Sequence, residues 1–410
     1  MSGCGTELEM EHLSPLSRGP DLLALPRPGR RLRLGLVGGG RIAKVQTLGV
    51  RLSDRWDIVA GSFSSDPAGS IDVGQHWYLP QERIYSNYQE MVDREAARED
   101  GVEAVIIATP NDSHFAIASA FVAAGIDVFC EKPLTATLNE AVALRAAARR
   151  TKLVFAVAHA YSGHAMIRQA KAMVAAGEIG RVRQIHVEYA QEWMMDEEAI
   201  DLKHVRWRQD PKRSGGTACT ADIGTHAHHL AYFVTGLEMT RLRAELLVCG
   251  APKQLDDTVY VSARYEGDVP GLLWASQVAP GHFVGLRLRV FGEKGGLSWD
   301  QENPDYLLFS PLRHPTQLIR RGFGAGNAAA AERLTRIPSG NAEGWLEAWS
   351  NLFAEFAVAV WARQTGRTLP PGLLQYPTIE DGVRGMQFVD AVVRSDAAGG
   401  GWVDCALPSA

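Results

Sequence analysis

Three groups of residues in this chain have types and spacing suited to a reaction. Lys132 ends an apolar strand, Val128-Phe-Cys-Glu131-Lys132-Pro133-Leu134. A glycine-rich turn, Gly38-Gly39-Gly40, lies about ninety residues before it, and an Asp222/His226 pair about ninety residues after it. A lysine at the carboxyl end of a parallel strand stands where open α/β sheets bind their ligands. Alone it reads equally well as a solvated surface charge. Oxidation of a secondary alcohol needs a base for the O–H proton while hydride departs, and burial or a neighbouring cation tunes an amine toward that task. Asp222 and His226 are four residues apart on an expected helix, hence on one face. That spacing lets the carboxylate orient the imidazole or hold a neighbouring substrate hydroxyl.

Gly38-Gly39-Gly40-Arg41-Ile42-Ala43 follows a strand and opens a helix, the setting a dinucleotide-binding turn requires. Gly38 permits the tight turn, Gly40 lets the backbone approach a pyrophosphate, and Ala43 allows close helix–sheet packing. The helix N-terminus offers N–H groups and partial positive charge to phosphates. The second strand ends Gly61-Ser-Phe-Ser64-Ser65-Asp66. Serine therefore stands where an acid would select NAD, while Asp66 before Pro67 reads as a helix cap. NAD or NADP is expected, with NAD the favoured of the two.

Positioning these groups falls to alternating elements. Strands are expected at Leu34–Val37, Asp57–Phe63, Val102–Ala108, Asp127–Cys130 and Leu153–Ala158. Helices at Arg41–Leu52, Asn87–Arg98, Ser113–Ala124 and Leu138–Arg150 alternate with them, which implies a doubly wound parallel sheet. After a helix near Met166–Ala176 come strands at Arg183–Tyr189, Leu242–Cys249, Thr258–Tyr265, Gly271–Gln277 and Leu286–Phe291, with a hairpin-like Glu293-Lys-Gly-Gly. Such a run predicts a second, α+β domain with a large, mostly antiparallel open sheet. Helices at Glu343–Arg363 and Ile379–Arg394 close the chain, and Leu312–Ala331 reads as the least structured part of the body. The expected division is a loose tail at 1–30, a Rossmann domain at 31–158 and a substrate and oligomerisation domain at 159–410.

Composition narrows the classes. At 410 residues two domains are the natural expectation, and a formal net charge of −5 argues against a nucleic-acid binder. No apolar run is long enough to span a membrane, and the N-terminus lacks a signal-peptide apolar core. The five cysteines, Cys4, Cys130, Cys219, Cys249 and Cys405, are odd in number and scattered, which suggests reduced thiols in the cytoplasm.

The chain resembles the glucose–fructose oxidoreductase/inositol dehydrogenase (Gfo/Idh/MocA) family over about Arg33–Val403. The carriers are Gly38–Ala43, Ala108-Thr-Pro-Asn-Asp-Ser-His114, Glu131-Lys132-Pro133, Ala221-Asp-Ile-Gly-Thr-His226 and Tyr376-Pro-Thr-Ile-Glu-Asp-Gly382. The resemblance implies a sugar, sugar derivative or inositol as substrate and a homodimer or homotetramer. It makes Lys132 and His226 the candidate proton-transfer groups and Asp222 their partner. It also places the Thr109-Pro110-Asn111 loop, with His114, and the Glu131-Lys132 edge at the cofactor, although that loop has a plain reading as turn chemistry. Two departures are marked: Ala218 stands where a glycine is usual, and the turn Gly281-His282-Phe283 carries His282 and Phe283 where smaller polar residues are expected, a change that would reshape the substrate pocket.

Tyr161, Trp193, Trp207, Arg208 and Gln277 are candidates for substrate contact, because sugar sites combine aromatic platforms with directional polar groups. The tryptophans have an equal reading as core. His226, His228 and His229 lack the spacing and companion ligands of a zinc site, so no metal is expected. The leading expectation is a nicotinamide-dependent dehydrogenase acting on a ring hydroxyl. A glycoside hydrolase that oxidises the ring transiently is the first alternative, and a non-catalytic sugar sensor the second.

Overall fold

The computed structural model describes residues 23–195 and 206–407. A five-stranded parallel sheet comes first, built from β1 (Leu32–Val37), β2 (Trp56–Ser62), β3 (Ala104–Ile107), β4 (Asp127–Cys130) and β5 (Phe155–Val157) in the order β2-β1-β3-β4-β5. The strands are almost wholly apolar because helices cover both faces. Helices α1 (Arg41–Ser53), α2 (Pro67–His76), α3 (Tyr88–Ala96), α4 (Asn111–Ala123) and α5 (Leu138–Thr151) connect them. Their starts are chemically marked: Asp66 accepts from the N–H groups of Ala68 and Gly69, Asn87 from Glu90, and Thr137 forms a capping box with Glu140.

The second sheet has nine strands: β6 (Val182–Ala190), β7 (Met239–Leu247), β8 (Thr258–Tyr265), β9 (Val269–Ser276), β10 (Gly285–Gly292), β11 (Gly295–Asp300), β12 (Tyr306–Pro311), β13 (Gln317–Arg320) and β14 (Val403–Asp404). Their order is β13-β12-β11-β10-β6-β9-β8-β7-β14, antiparallel except for the parallel β6–β9 pair. Burial alternates along β6, β8 and β10, so one face is core and the other open. The core face packs on α6 (Ala165–Ala175), α7 (Thr225–Thr235) and part of α9 (Ile379–Ala397).

The closing helices tie the sheets together. Trp349, Leu352, Phe353 and Phe356 of α8 (Trp345–Thr365) pack against Leu32, Leu34 and Phe129 of the first sheet. Ile379, Val383 and Met386 of α9 join the first sheet's core, while Phe388, Val389 and Val392 join the second's. The backbone N–H of Val157 also donates to Pro377 O at 2.9 Å. The C-terminal segment, α9 above all, therefore spans the cores of both sheets.

Two expectations are corrected. Residues 23–30 are not loose: Leu23 and Leu25 are buried against Leu334, Ala354 and Val358, and Arg30 makes two hydrogen bonds to Glu103. Residues 1–22, with Cys4, lie outside the described residues. The stretch Leu312–Ala331 contains β13 and a short helix at Ala329–Glu332. Its mostly exposed edge strand pairs only with β12, so it lacks the apolar alternation that marks inner strands.

Candidate active site

The cofactor turn is shaped by contacts that only glycine allows. Gly38 has φ +107°, and a Cβ there would lie 2.2 Å from Ala108 O. A Cβ on Gly39 would lie 2.9 Å from Phe63 O. Gly40, the residue before α1, is different, since a Cβ there meets nothing within 4 Å. The open side of the turn therefore lies over the uncapped first turn of α1, which has no acidic residue. These features fit the diphosphate of a dinucleotide. Arg41 is exposed beside it, and Ile42 lines the adjoining pocket.

At the end of β2, Ser64 Oγ accepts from Asp66 N at 3.1 Å and Ser65 is exposed. Asp66 is occupied as the α2 cap, so no acid reaches back toward the adenosine side of the turn.

The pocket has a volume of about 320 Å³ and lies between the carboxyl ends of the first sheet's strands and the second sheet. Thr109, Asn111, Glu131, Lys132 and Pro133 line it from the first sheet. Pro110 directly precedes α4, and Asn111 Nδ2 donates to Ser214 O at 3.5 Å. His114 does not reach the pocket. Its ring nitrogens lie 2.9 Å from Pro133 O and 2.8 Å from Thr109 O, so it braces the two pocket loops from behind. The expectation that it touches cofactor is corrected on that ground.

Lys132 Nζ donates to Asp222 Oδ1 at 2.8 Å and to Asp222 O at 2.7 Å. Two of its three protons are thereby placed and one is left. The other carboxylate oxygen of Asp222 accepts from Gln277 Nε2 at 2.9 Å, with Arg208 Nε 3.6 Å away. Burial opposes charge on Asp222, but Lys132 and Arg208 overcome it and hold the carboxyl well below the usual range. Glu131 beside Lys132 behaves in the opposite way. It accepts from Gln46 Nε2 at 2.7 Å and from Lys132 N at 3.0 Å, yet burial outweighs the help of Lys132 and lifts it to about 7.

Asp222 and His226 both line the pocket, but the segment that presents them is not a regular α-helix. Thr220–Gly224 forms a π turn, with Thr225 N–H donating to Thr220 O, and leads into α7. Asp256 holds the approach: its carboxylate accepts from Ala218 N at 2.6 Å, Thr220 N at 2.9 Å and Thr220 Oγ1 at 2.7 Å. Ala218 is thus accommodated where glycine is usual.

No hydrogen bond joins Asp222 to His226, so Asp222 orients Lys132 rather than the imidazole. His226 Nδ1 is buried without a partner. Burial, then Lys132 and His159, push the imidazole well below its ordinary pKa, so it is neutral. His229 stacks on His159 at 4.1 Å and His228 on Phe388 at 4.7 Å, both in the core. Among the described residues no group of three His, Cys, Asp or Glu side chains could hold a metal.

Tyr161, Trp207 and Arg208 line the pocket, with the guanidinium over the Trp207 ring at 4.5 Å. Trp193 and Gln277 stand behind the lining: Trp193 Nε1 donates to Gln191 Oε1 at 2.8 Å, and Gln277 holds Asp222. The lining also includes Tyr189, Gln191, Val284, Gln301, Trp345 and Trp349, none of which the sequence singled out. Tyr189 near the end of β6 and Gln191 just after it reach the level of the pocket, a position set by the pairing of β6 with β9.

Comparison with known proteins agrees with this geometry. Residues 32–159 match the family model for the oxidoreductase family, NAD-binding Rossmann fold, and residues 167–298 the GFO/IDH/MocA C-terminal domain. An uncharacterized oxidoreductase of Bacillus subtilis (strain 168), YfiI, is 32% identical over 91% of this chain and 96% of its own length. The chain belongs to the Gfo/Idh/MocA family of oxidoreductases. Solved structures extend the likeness. An inositol dehydrogenase homolog from Azotobacter vinelandii, complexed with NAD+, superposes with a TM-score of 0.87 at 36% identity, covering 93% of this chain and 99% of that one. The same homolog complexed with NADH and myo-inositol gives a TM-score of 0.85 at 35% identity, covering 93% and 99%. An oxidoreductase from Sinorhizobium meliloti is 44% identical with a TM-score of 0.83, covering 91% and 99%. This Gfo/Idh/MocA member is therefore an NAD-binding oxidoreductase with a Rossmann sheet and a large, mostly antiparallel second sheet. No described helix is long and apolar enough to cross a membrane.

Proposed function

We propose that this oxidoreductase oxidises a ring hydroxyl of an inositol, a sugar or a sugar derivative. The observation that carries the reading is the Lys132–Asp222 pair, in which Asp222 takes two of the three Nζ hydrogen-bonding positions and leaves the third for substrate, in a pocket that also includes Ile42 of the cofactor turn. NAD bound at the turn supplies the hydride acceptor. Its phosphates would lie over Gly38–Ile42, with Ser64 and Ser65 on the adenosine side and Thr109, Pro110, Asn111 and Glu131 at the other end.

With two N–H groups donated to Asp222, the uncharged amine of Lys132 takes the proton of the reacting hydroxyl on its third position, and Asp222 stabilises the ammonium that results. Gln277 and Arg208 keep Asp222 in place for that task. His226 acts as a neutral hydrogen-bond donor. With Nδ1 buried and unpartnered, a proton on that nitrogen would be an orphan donor, so the proton belongs on Nε2. Trp207 offers an apolar platform to a ring face. The Azotobacter vinelandii homolog solved with myo-inositol supports a polyol of this size.

The open face of the second sheet carries exposed Tyr260, Leu272, Phe291 and Leu308, which supports self-association there as a homodimer or homotetramer. Cys130, Cys219, Cys249 and Cys405 are all unpaired, which supports a reducing, cytoplasmic setting. The test of function is the absorbance of reduced nicotinamide with inositols, sugars and glycosides, run separately with NAD and NADP. Net NADH formation supports the dehydrogenase. Release of an aglycone without net NADH would replace it with the hydrolase, and no reaction with any of them would reject both.

A further inference from the structure

The wall of the pocket beside His226 carries a hydrogen-bond chain whose direction can be deduced. Trp193 Nε1 donates to Gln191 Oε1 at 2.8 Å. Indole N–H is a donor only, so the oxygen of the Gln191 amide must face it and the NH2 must face the other way. That NH2 lies 3.4 Å from Tyr189 Oη, which therefore accepts. Tyr189 Oη and Tyr161 Oη are in turn hydrogen-bonded to each other. The two phenols hold two protons and share one bond, and neither hydroxyl has another acceptor among the described residues. One phenolic proton is left over, in a pair that lines the pocket.

Cooperativity decides which phenol presents it. A hydroxyl that already accepts from Gln191 is the better donor, so the proton of Tyr189 goes to Tyr161 and that of Tyr161 faces the cavity. Tyr161 is also nearer to His226, with ring centroids 4.9 Å apart against 6.2 Å for Tyr189. Both rings are almost fully buried, and burial raises both phenols above their ordinary range, so neither is lost as a donor near neutral pH.

We infer that Tyr161 donates this proton to a substrate hydroxyl other than the one oxidised, and that Tyr189, Gln191 and Trp193 are positioning residues that fix its direction. This specificity device rests on the polyol reading above. It requires an oxygen at one ring position and disfavours the deoxy analogue, because a buried donor would otherwise go unpaired.

The experiment uses the full chain with NAD and a panel of myo-inositol, scyllo-inositol, D-glucose, D-xylose and levoglucosan. Turnover is followed by nicotinamide absorbance. Binding to the NADH complex is followed by fluorescence of the tryptophans that line the pocket. Tyr161→Phe keeps the ring and its packing, and should raise KM for the best substrate at least ~10-fold with kcat within about threefold, the split expected when uniform binding is lost. It should also narrow the preference for that substrate over its monodeoxy analogues. Gln191→Glu is the decisive variant. A carboxylate can only accept from Tyr189, which reverses the chain: Tyr189 donates to Glu, Tyr161 donates to Tyr189, and no proton remains for the pocket. It should therefore raise KM as much as Tyr161→Phe although both phenols are present, and should add little in the Tyr161→Phe background. Additive effects of the two substitutions, or a kcat loss without a KM change, would overturn the assignment. So would a KM within twofold of wild type in Tyr161→Phe. A wild-type protein that neither binds nor oxidises any panel member would overturn this inference together with the polyol reading. Oxidation of one of them with unaltered KM in the variants would overturn this inference alone.

Discussion

Replacement of Lys132 by methionine removes the side chain that bonds the end of β4 to Asp222 of the π turn. Its side chain and that of Asp222 are 13% and 20% exposed, so the pair is largely desolvated. Breaking a fully buried pair costs roughly 3–5 kcal/mol. Here Gln277 at 2.9 Å and Arg208 at 3.6 Å stay with the stranded carboxylate. The cost should fall to about 1–3 kcal/mol, or a few degrees in Tm. The catalytic loss should be larger in kind: at least ~100-fold in kcat, which is about 2.7 kcal/mol of activation free energy. NADH affinity should stay within a few-fold, because the phosphate turn is untouched. Lys132→Arg should not restore turnover, since a guanidinium stays protonated and cannot accept the hydroxyl proton. The assay is initial rate with saturating NAD, beside NADH titration by fluorescence and a melting curve. Turnover within about fivefold of wild type, at a temperature where the variant is folded, would refute a proton-transfer role for Lys132.

Three further outcomes are expected. Gly40→Val fills the open side of the cofactor turn and should weaken NAD binding at least ~10-fold while Tm stays within a few degrees; unchanged affinity in a titration would move the diphosphate elsewhere. Ser64→Asp should shift preference toward NAD over NADP by roughly 1–2 kcal/mol, read from dissociation constants for both cofactors, and an unchanged ratio would show that Ser64 is not at the ribose. Glu131, lifted from 4.5 to about 7 in the fold, contributes stability that is present below its unfolded pKa and is lost as pH rises through about 7. Glu131→Gln mimics the protonated form, so its Tm should fall less than that of wild type between about pH 5 and about pH 8, with the difference worth at most roughly 3 kcal/mol. Parallel Tm profiles would place the titration elsewhere.

Much of this site was legible in the sequence because its signals are local. A glycine triplet between a strand and a helix reports a turn whose backbone no side chain can enter, and the contacts at Gly38 and Gly39 are of that kind. Asp66 before Pro67 reports a cap in the same way, as does strand–helix alternation for a parallel sheet. The Glu-Lys-Pro and Asp-x-x-x-His motifs located their residues for the same reason. What each residue touches was a different matter. Spacing left Asp222 to orient His226 or to hold a substrate hydroxyl, and only the resemblance paired it with Lys132 as well; in the fold its carboxylate bonds Lys132, 90 residues away, with Gln277 55 residues away on the other side. Tyr161 and Tyr189 lie 28 residues apart and meet only because the second sheet's register brings the end of β6 over the turn after β5. The packing of α8 on the first sheet, across some three hundred residues from β1, carries no local mark either. Local sterics and periodicity decide which elements form and where a backbone can bend. Strand register and helix docking decide which side chains share a buried pocket, because those are satisfied by the whole core at once and by no single segment.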